Sequence, residues 1–212
     1  MRSIMVLNPK GGSGKSTLAT NLASYYASEG MDVVLADLDH QGSSLAWLDV
    51  RPAGRPPIRG IAAWRSSAAR PARGTDVVVY DSPAAVHGKD LTALLRKAET
   101  FLIPVLPSPI DMRAGADFVA WLKHNSRVAN RQIKIALVAN KARQYTNIYH
   151  ELEEFLKRLR VPVVATLRDS MNYVRAAERG IGVFEMAPYA TAIDREQWVP
   201  LLSYLRSKRS RT

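Results

Sequence analysis

The chain has 212 residues, a length typical of one domain with a sizeable core, and its 47% hydrophobic and 23% charged residues are ordinary for a globular protein. It contains no cysteine, which excludes disulfides, thiolate metal sites and thiol catalysis and fits a reducing cytoplasm. The net charge of +11 favours a polyanionic partner, either nucleic acid or an anionic membrane surface.

Apolar runs alternate along the chain with stretches of helical spacing. SIMVLN (3–8) predicts a buried strand, and apolar residues recurring from Lys15 to Ser28 predict a helix, with Gly30 just past its end. VVLAD (33–37) predicts a second strand, and GSSLAWL predicts the start of a short helix.

The second half of the chain follows the same alternation after an irregular middle. Residues 51–74 are rich in Arg, Pro and Ala, which predicts a connection with at most a short helix around 60–69. Four more apolar runs predict strands at 76–81, 100–107, 133–140 and 161–166. Helical patterns predict helices at 111–124, 146–159 and 170–179 and within 191–207.

This alternation predicts an α/β fold, a single domain with a mostly parallel twisted sheet flanked by helices on both faces. We place the domain at 1–205 and a basic C-terminal tail at 206–212. The first residues lead into a strand without the layout of a signal peptide, and no apolar run approaches the roughly 20 residues that a membrane span needs. We therefore expect a cytoplasmic protein.

The basic residues are clustered, which favours nucleic acid binding over solubility as the reason for the charge. One cluster lies in the Pro/Ala-rich middle: Arg51, Arg55, Arg59, Arg65, Arg70 and Arg73. The other lies in the tail: Arg206, Lys208, Arg209 and Arg211.

NPKGGSGKST (8–17) joins the first strand to the first helix and matches the phosphate-binding pattern G-x-x-x-x-G-K-[ST], except that Pro9 replaces the first glycine. Pro9 lacks an N–H, but the phosphate cradle uses N–H groups further along the loop. We expect Lys15 to reach the β- and γ-phosphates and the Ser16 hydroxyl to ligate Mg²⁺. The fold prediction is thus a P-loop NTPase with nucleotide contacts from Gly11, Gly12, Ser13, Gly14, Lys15, Ser16 and Thr17, while Lys10 is free to reach across an interface.

Polar residues follow the other strands at the edge where parallel sheets bind ligands. Asp37 and Asp39 follow the second strand, Asp81 ends the third, and Asn140 lies near the end of a later one. Asp81 is placed to hold a Mg²⁺-bound water, with a helix N-cap as the alternative. The simpler alternative for Asp37, Asp39 and Asn140 is that each stabilises a turn at the end of its strand, as Asp and Asn commonly do.

The loop K-G-G-S-G-K-S resembles the deviant Walker A motif of the ParA/MinD ATPases, whose signature lysine contacts the nucleotide of the other subunit in an ATP-sandwich dimer. VVLADLDHQGSS, VVVYDSPA and FLIPVLPSPIDMRAG resemble later family segments in the same order, closest to the short ParF-like partition ATPases. The match is weaker at His40, where the family has proline.

The resemblance implies a role for each matching residue. Lys10 would act in trans, in the manner of an arginine finger, and Asp39 would orient the attacking water. Asp37 and Asp81 would support the metal through water, and Asn140 would hydrogen-bond adenine.

The resemblance also implies a cycle. ATP and Mg²⁺ close a homodimer, the dimer binds DNA without sequence specificity, and a ParB-like or cargo adaptor protein stimulates slow hydrolysis and release. The cargo, a plasmid or chromosome region or another assembly, stays open, and the expected location is the nucleoid. Candidate DNA contacts are Arg168, Arg206, Lys208, Arg209 and Arg211. The chain begins directly at the first strand, so we expect no operator-binding helix-turn-helix of its own.

Two alternatives stay open. EQWVPLLSYLRSKRS has Trp198, Leu201, Leu202 and Leu205 on one face, which would suit the amphipathic anchor of a MinD-like membrane ATPase. A terminal helix packed on the sheet is the simpler interpretation, and Pro200 suits a helix start. A metabolic ATP-dependent ligase of related fold is less favoured because no pocket for a small-molecule substrate is evident.

Overall fold

In the part of the chain that the structure describes, seven parallel strands form one twisted sheet in the order β3-β2-β4-β1-β5-β6-β7. This computed structural model describes residues 1–65, 71–130 and 132–211, without the side chains at 126 and 129. The strands are β1 (Arg2–Val6), β2 (Val33–Asp37), β3 (Arg59–Ala62), β4 (Val77–Asp81), β5 (Thr100–Val105), β6 (Lys134–Ala142) and β7 (Val163–Arg168).

Helices connect the strands and cover both faces of the sheet. They are α1 (Lys15–Ser28), α2 (Ser43–Asp49), α3 (Gly88–Leu94), α4 (Pro109–His124), α5 (Ser126–Ala129), α6 (Asn147–Arg158), α7 (Met171–Glu178) and α8 (Pro188–Arg206), with 3-10 turns at Val183–Glu185 and Lys208–Ser210. Within the described residues, none of the helices is long and apolar enough to cross a membrane.

The core has two halves because successive strand residues point to opposite faces of the sheet. In β1, Ile4 and Val6 pack with α1 and α8, whereas Met5 lies in the half that contains α4 and α6. Burial on both faces explains why the central strands are nearly continuous apolar runs. The predicted α/β class, with a parallel sheet between two helical layers, is confirmed.

The structure corrects the prediction for the Pro/Ala-rich middle. The short helix predicted around 60–69 is wrong at its start, because residues 59–62 form the edge strand β3 paired with β2. A Cβ on Gly60 would lie 2.8 Å from Leu45 and 2.9 Å from Leu48, so glycine lets α2 pack close to this strand. The rest of that prediction at 66–69, like Arg70, lies outside the described residues.

Two helices also differ from the prediction. Helix α3 was not anticipated, and α8 begins at Pro188, three residues before the predicted range. Pro188 occupies the first turn, where a missing N–H is harmless, while Pro200 lies inside the helix on its exposed side. The expectation that Pro200 starts a helix is therefore wrong.

The residues after α8 fold back onto the amino ends of the strands. Ser210 is fully buried, and the Arg2 guanidinium donates to its carbonyl oxygen at 3.1 Å and to its Oγ at 2.8 Å. Thr100 also donates its hydroxyl to the Ser210 carbonyl oxygen. The basic tail thus begins at the edge of the sheet opposite the loops that follow the strands.

Candidate functional site

The phosphate loop lies between the end of β1 and the start of α1, beyond the carboxyl ends of the strands. Gly14 precedes α1 with a left-handed φ of 93°, and Gly12 has a φ of 76°. A Cβ on Gly14 would lie 2.2 Å from Asn140 Nδ2, whereas a Cβ on Gly11 or Gly12 would meet nothing within 4 Å. The loop is therefore tight on the side of the sheet and open on the side where a phosphate would lie.

Backbone contacts hold the base of this loop. Asn8 donates its side-chain amide to the Pro104 carbonyl oxygen at 2.6 Å and accepts the Lys10 N–H at 2.8 Å. The Pro9 carbonyl oxygen accepts the Ala85 N–H at 2.6 Å. The Pro9 carbonyl thus serves as the acceptor for the neighbouring loop, and this contact does not need the N–H that proline lacks.

Lys15 extends along the inside of the loop. Its ammonium group donates to the Lys10 carbonyl oxygen at 3.0 Å, and the residue is 8% exposed. Burial lowers the pKa of the Lys15 ammonium, while the carboxylates of Asp81 and Asp39 oppose that shift. The carboxylates therefore compensate the positive charge of Lys15 only in part, and an anionic phosphate bound in the loop would stabilise that charge further.

Asp37 is fully buried, and backbone N–H groups occupy its carboxylate. The N–H groups of Asp39 and Ser44 donate to it at 2.9 and 3.0 Å, and that of Leu45 donates at 3.4 Å. Burial raises the pKa of Asp37, although these N–H donors oppose the shift. The carboxylate thus holds the turn after β2 and the start of α2, and its predicted support of a metal stays a prediction.

Asp81 lies beside Asp37 in the sheet register, at the end of β4. It is 1% exposed, its Oδ2 accepts the Ser44 hydroxyl, and the Ser16 hydroxyl also hydrogen-bonds to the carboxylate. Burial raises the pKa of Asp81 to about 6. Its Oδ1 has no partner in the described part of the chain.

These residues fit a magnesium ion held together with a nucleotide. A buried, unpaired carboxylate oxygen lies next to the Ser16 hydroxyl at the mouth of the phosphate loop. Mg²⁺ in nucleotide sites takes one or two protein oxygens, phosphate oxygens and several waters. Accordingly, the described residues contain no cluster of three or more His, Cys, Asp or Glu that could hold a metal alone.

Asp39, His40 and Asn140 surround this centre. Asp39 is half-buried, and its Oδ1 accepts the Gln41 N–H at 3.0 Å. His40 is exposed, with its ring 6.4 Å from that of Trp64. Asn140 is buried and donates its amide to the Ser13 carbonyl oxygen at 2.8 Å. Its predicted adenine contact stays a prediction, since the amide is engaged with the loop.

Lys10 is placed differently from Lys15. Its ammonium group makes an ion pair at 2.8 Å with Oδ2 of Asp111, in the first turn of α4. Sequence reasoning missed both Asp111 and Ser44. The pattern Ser108-x-x-Asp111, an N-cap followed by an acidic residue three positions later, is the sequence signal that could have placed the start of α4 here.

The structure does not bring the candidate DNA contacts together. Arg168 lies at the carboxyl edge, where its guanidinium pairs with the buried Asp194 at 2.6 Å. Arg206 pairs with Glu29 at 3.5 Å, and the tail basic residues lie with it near the opposite edge. Their contact with DNA stays a prediction.

The comparisons with known proteins agree with this geometry. Residues 4–183 match a family model described as the CobQ/CobB/MinD/ParA nucleotide binding domain. Maintenance of carboxysome distribution protein A of Halothiobacillus neapolitanus is 29% identical over 192 residues, which cover 87% of each chain. The chromosome-partitioning ATPase Soj of Thermus thermophilus is 30% identical over 167 residues, which cover 64% of this chain and 67% of Soj.

Among solved structures, the ATP complex of a variant of Cyanothece McdA has a TM-score of 0.75 and 14% identity, covering 95% of this chain and 96% of that one. At this identity the likeness concerns the fold alone. It shows that this chain shares the overall fold of that structure over nearly its whole length.

Proposed function

The chain belongs to the CobQ/CobB/MinD/ParA family of nucleotide-binding proteins, and from that premise we propose that it is a ParA-type ATPase that positions DNA or another intracellular cargo. The observation that carries the proposal is the loop with two lysines. Lys15 lies inside the loop and Lys10 points out of it toward α4. A site with a second, outward lysine is suited to a nucleotide shared between two subunits.

The reaction proposed is the hydrolysis of ATP to ADP and phosphate. Phosphoryl transfer depends on positioning and charge neutralisation more than on covalent chemistry. The loop N–H groups and Lys15 would hold the phosphates, and Asp39 would orient the attacking water. Mg²⁺, held through Ser16 and by water through Asp81, would neutralise phosphate charge when bound. Lys10 of a second subunit would complete the charge compensation, which makes hydrolysis depend on the homodimer.

DNA binding without sequence specificity is the second part of the proposal. The net charge of +11 supplies the requirement, because Lys and Arg contacts to phosphates release counterions and give salt-dependent affinity. A dimer doubles the basic surface, so affinity would rise with ATP through avidity. Arg168, with a third of its side chain exposed, and the exposed tail residues are the candidate contacts.

The cargo is proposed only as a class. The relatives are named for carboxysome distribution and for chromosome partitioning, so a DNA region and a protein assembly are both compatible with the same ATPase. An adaptor protein, ParB-like or cargo-bound, would stimulate hydrolysis and release the dimer from the nucleoid.

A membrane anchor in α8 is not supported. Trp198, Leu201, Leu202 and Leu205, the residues of its apolar face, are all buried in the core. An anchor would have to withdraw them from that core, which is unfavourable. In the binding experiment below, anionic vesicles therefore serve only as a comparison with DNA.

The experiment is binding to random-sequence duplex DNA without nucleotide, with ADP and with ATP, at two salt concentrations. We expect tight binding only with ATP, weakening by about ten-fold or more between low and high salt. Absence of binding in every state would contradict the DNA part, and anionic vesicles with ATP would then test the membrane alternative. Lys10→Ala should bind ATP normally but lose adaptor-stimulated hydrolysis, and unchanged stimulated turnover would contradict its role in trans.

A further inference from the structure

The outward lysine of the phosphate loop is held within its own subunit. The Lys10 ammonium group lies 2.8 Å from Asp111 Oδ2, although the two residues are 101 positions apart in the chain. They meet because β1 and β5 are neighbours in the sheet, so the loop after β1 lies beside the start of α4 after β5. The Lys10 side chain is 34% exposed, which leaves it accessible from outside the subunit.

Asp111 is prepared to accept this ammonium group. Its side chain is 10% exposed, and the Ser108 hydroxyl donates to the same oxygen, Oδ2. Ser108 also accepts the Asp111 N–H at 3.2 Å as the N-cap of α4. A carboxylate in the first turn of a helix is further stabilised by the positive end of the helix dipole. The acceptor is thus fixed in place, whereas the lysine is the flexible partner.

We propose that Asp111 is a positioning residue that keeps the Lys10 ammonium group in its own subunit until a second subunit brings its nucleotide. On closure of the dimer, the ammonium group exchanges the Asp111 carboxylate for the phosphates bound by the other subunit. This inference rests on the proposed ATP-dependent dimer and adds to it a reason why a lone subunit neither dimerises prematurely nor hydrolyses ATP.

The exchange sets the size of the effect. The attraction in a partly exposed ion pair of this kind raises the population in which Lys10 contacts Asp111 by about three- to five-fold. Each dimer breaks two such contacts, so their loss should lower the concentration needed for dimerisation by about ten- to twenty-five-fold. The two broken ion pairs contribute equally and in the same direction, because the two subunits of a symmetric dimer are equivalent.

The experiment measures dimerisation by sedimentation velocity over a concentration series with a non-hydrolysable ATP analogue. Asp111→Asn removes the charge but keeps the side-chain volume and an oxygen for Ser108. Asp117→Asn, at an exposed position of the same helix, is the matched control for net charge. A double variant, Lys10→Ala with Asp111→Asn, tests whether any gain acts through the lysine. Ser108→Ala is a second, milder variant if Asp111→Asn does not fold.

The expected result is dimerisation of Asp111→Asn at about ten- to twenty-five-fold lower concentration than wild type, with faster adaptor-independent hydrolysis. Both gains should vanish in the double variant, whereas a merely structural role of Asp111 would weaken dimerisation instead. If wild type dimerises and Asp111→Asn behaves as Asp117→Asn does, the inference is wrong and the proposed function stands. If no variant dimerises with nucleotide, both fall together.

Discussion

Replacing the buried Asp81 by Asn should stabilise the nucleotide-free protein at neutral pH. The pKa of Asp81 is raised from 3.8 to about 6 by burial, so the folded protein holds a proton that the unfolded chain has released. A raised carboxyl pKa means that ionisation destabilises the fold: the penalty is absent below about pH 4, grows through the window between the two values and is complete above about pH 6.

The magnitude follows from the shift. About two pH units, at about 1.4 kcal/mol each, amount to about 3 kcal/mol of destabilisation by the ionised group. Asn keeps an oxygen for the Ser16 and Ser44 hydroxyls, but its NH₂ group has no acceptor to replace the unpaired Oδ1, at a cost of about 1 kcal/mol. The variant should therefore be about 2 kcal/mol more stable than wild type at pH 8 and slightly less stable near pH 4.

Urea unfolding at several pH values between 4.5 and 8, without nucleotide and with a chelator present, measures this difference. Asp49→Asn, at an exposed position, is the control and should show no such dependence on pH. A difference that stays constant from pH 5 to 8, or a less stable variant at pH 8, would refute the reasoning. The same variant should lose the proposed Mg²⁺-dependent hydrolysis, because the unpaired carboxylate oxygen that destabilises the fold is the one that would help to hold the ion.

Two further substitutions test the tight approach at Gly14 and the contribution of a buried ion pair elsewhere in the fold. Gly14→Ala should reduce nucleotide affinity by about 100-fold or more, because its φ of 93° and the 2.2 Å approach to Asn140 leave no room for a Cβ; calorimetric titration with ATP measures this, and unchanged affinity would contradict it. Arg51→Ala should lower the free energy of unfolding by about 3–5 kcal/mol, because Glu185, 2% exposed and paired at 2.7 Å, would stay buried without a counter-charge. Arg143→Ala, which breaks an exposed pair, should change urea unfolding by less than about 1 kcal/mol, and an equal effect of both variants would count against the argument from burial.

The central sheet could be predicted from the sequence because burial on both faces leaves a continuous apolar run. The bounds of α1 and β2 coincide with their predictions, since each has a local signal at its end: Gly30 shortly after α1 and Asp37 as the last residue of β2. The edge strand β3 could not be predicted in this way. It has only four residues, begins with an exposed Arg–Gly pair, and is defined by its pairing with β2.

The site was predictable to the extent that its residues are local in the chain. The phosphate loop and the order of the later segments indicated the ParA/MinD family, and the family model confirms that resemblance. Contacts between distant segments could not be predicted. No pattern in the sequence links Lys10 to Asp111 or Ser44 to Asp81, because strand order in the sheet decides which loops meet.

The three N–H groups that donate to Asp37 decide how a loss of function caused by substitution at this position should be interpreted. Asp37→Ala would leave those donors unpaired in the core and release the start of α2, so loss of function there reports on the shape of the loop. Asp39→Ala removes a turn contact to the Gln41 N–H and a negative charge that acts on Lys15, so loss of function in a folded variant would support the proposed role of Asp39 in hydrolysis. If the chain forms the proposed homodimer, a dominant-negative variant has to fold and pair with the wild-type chain, and a search for one should therefore begin at Asp39.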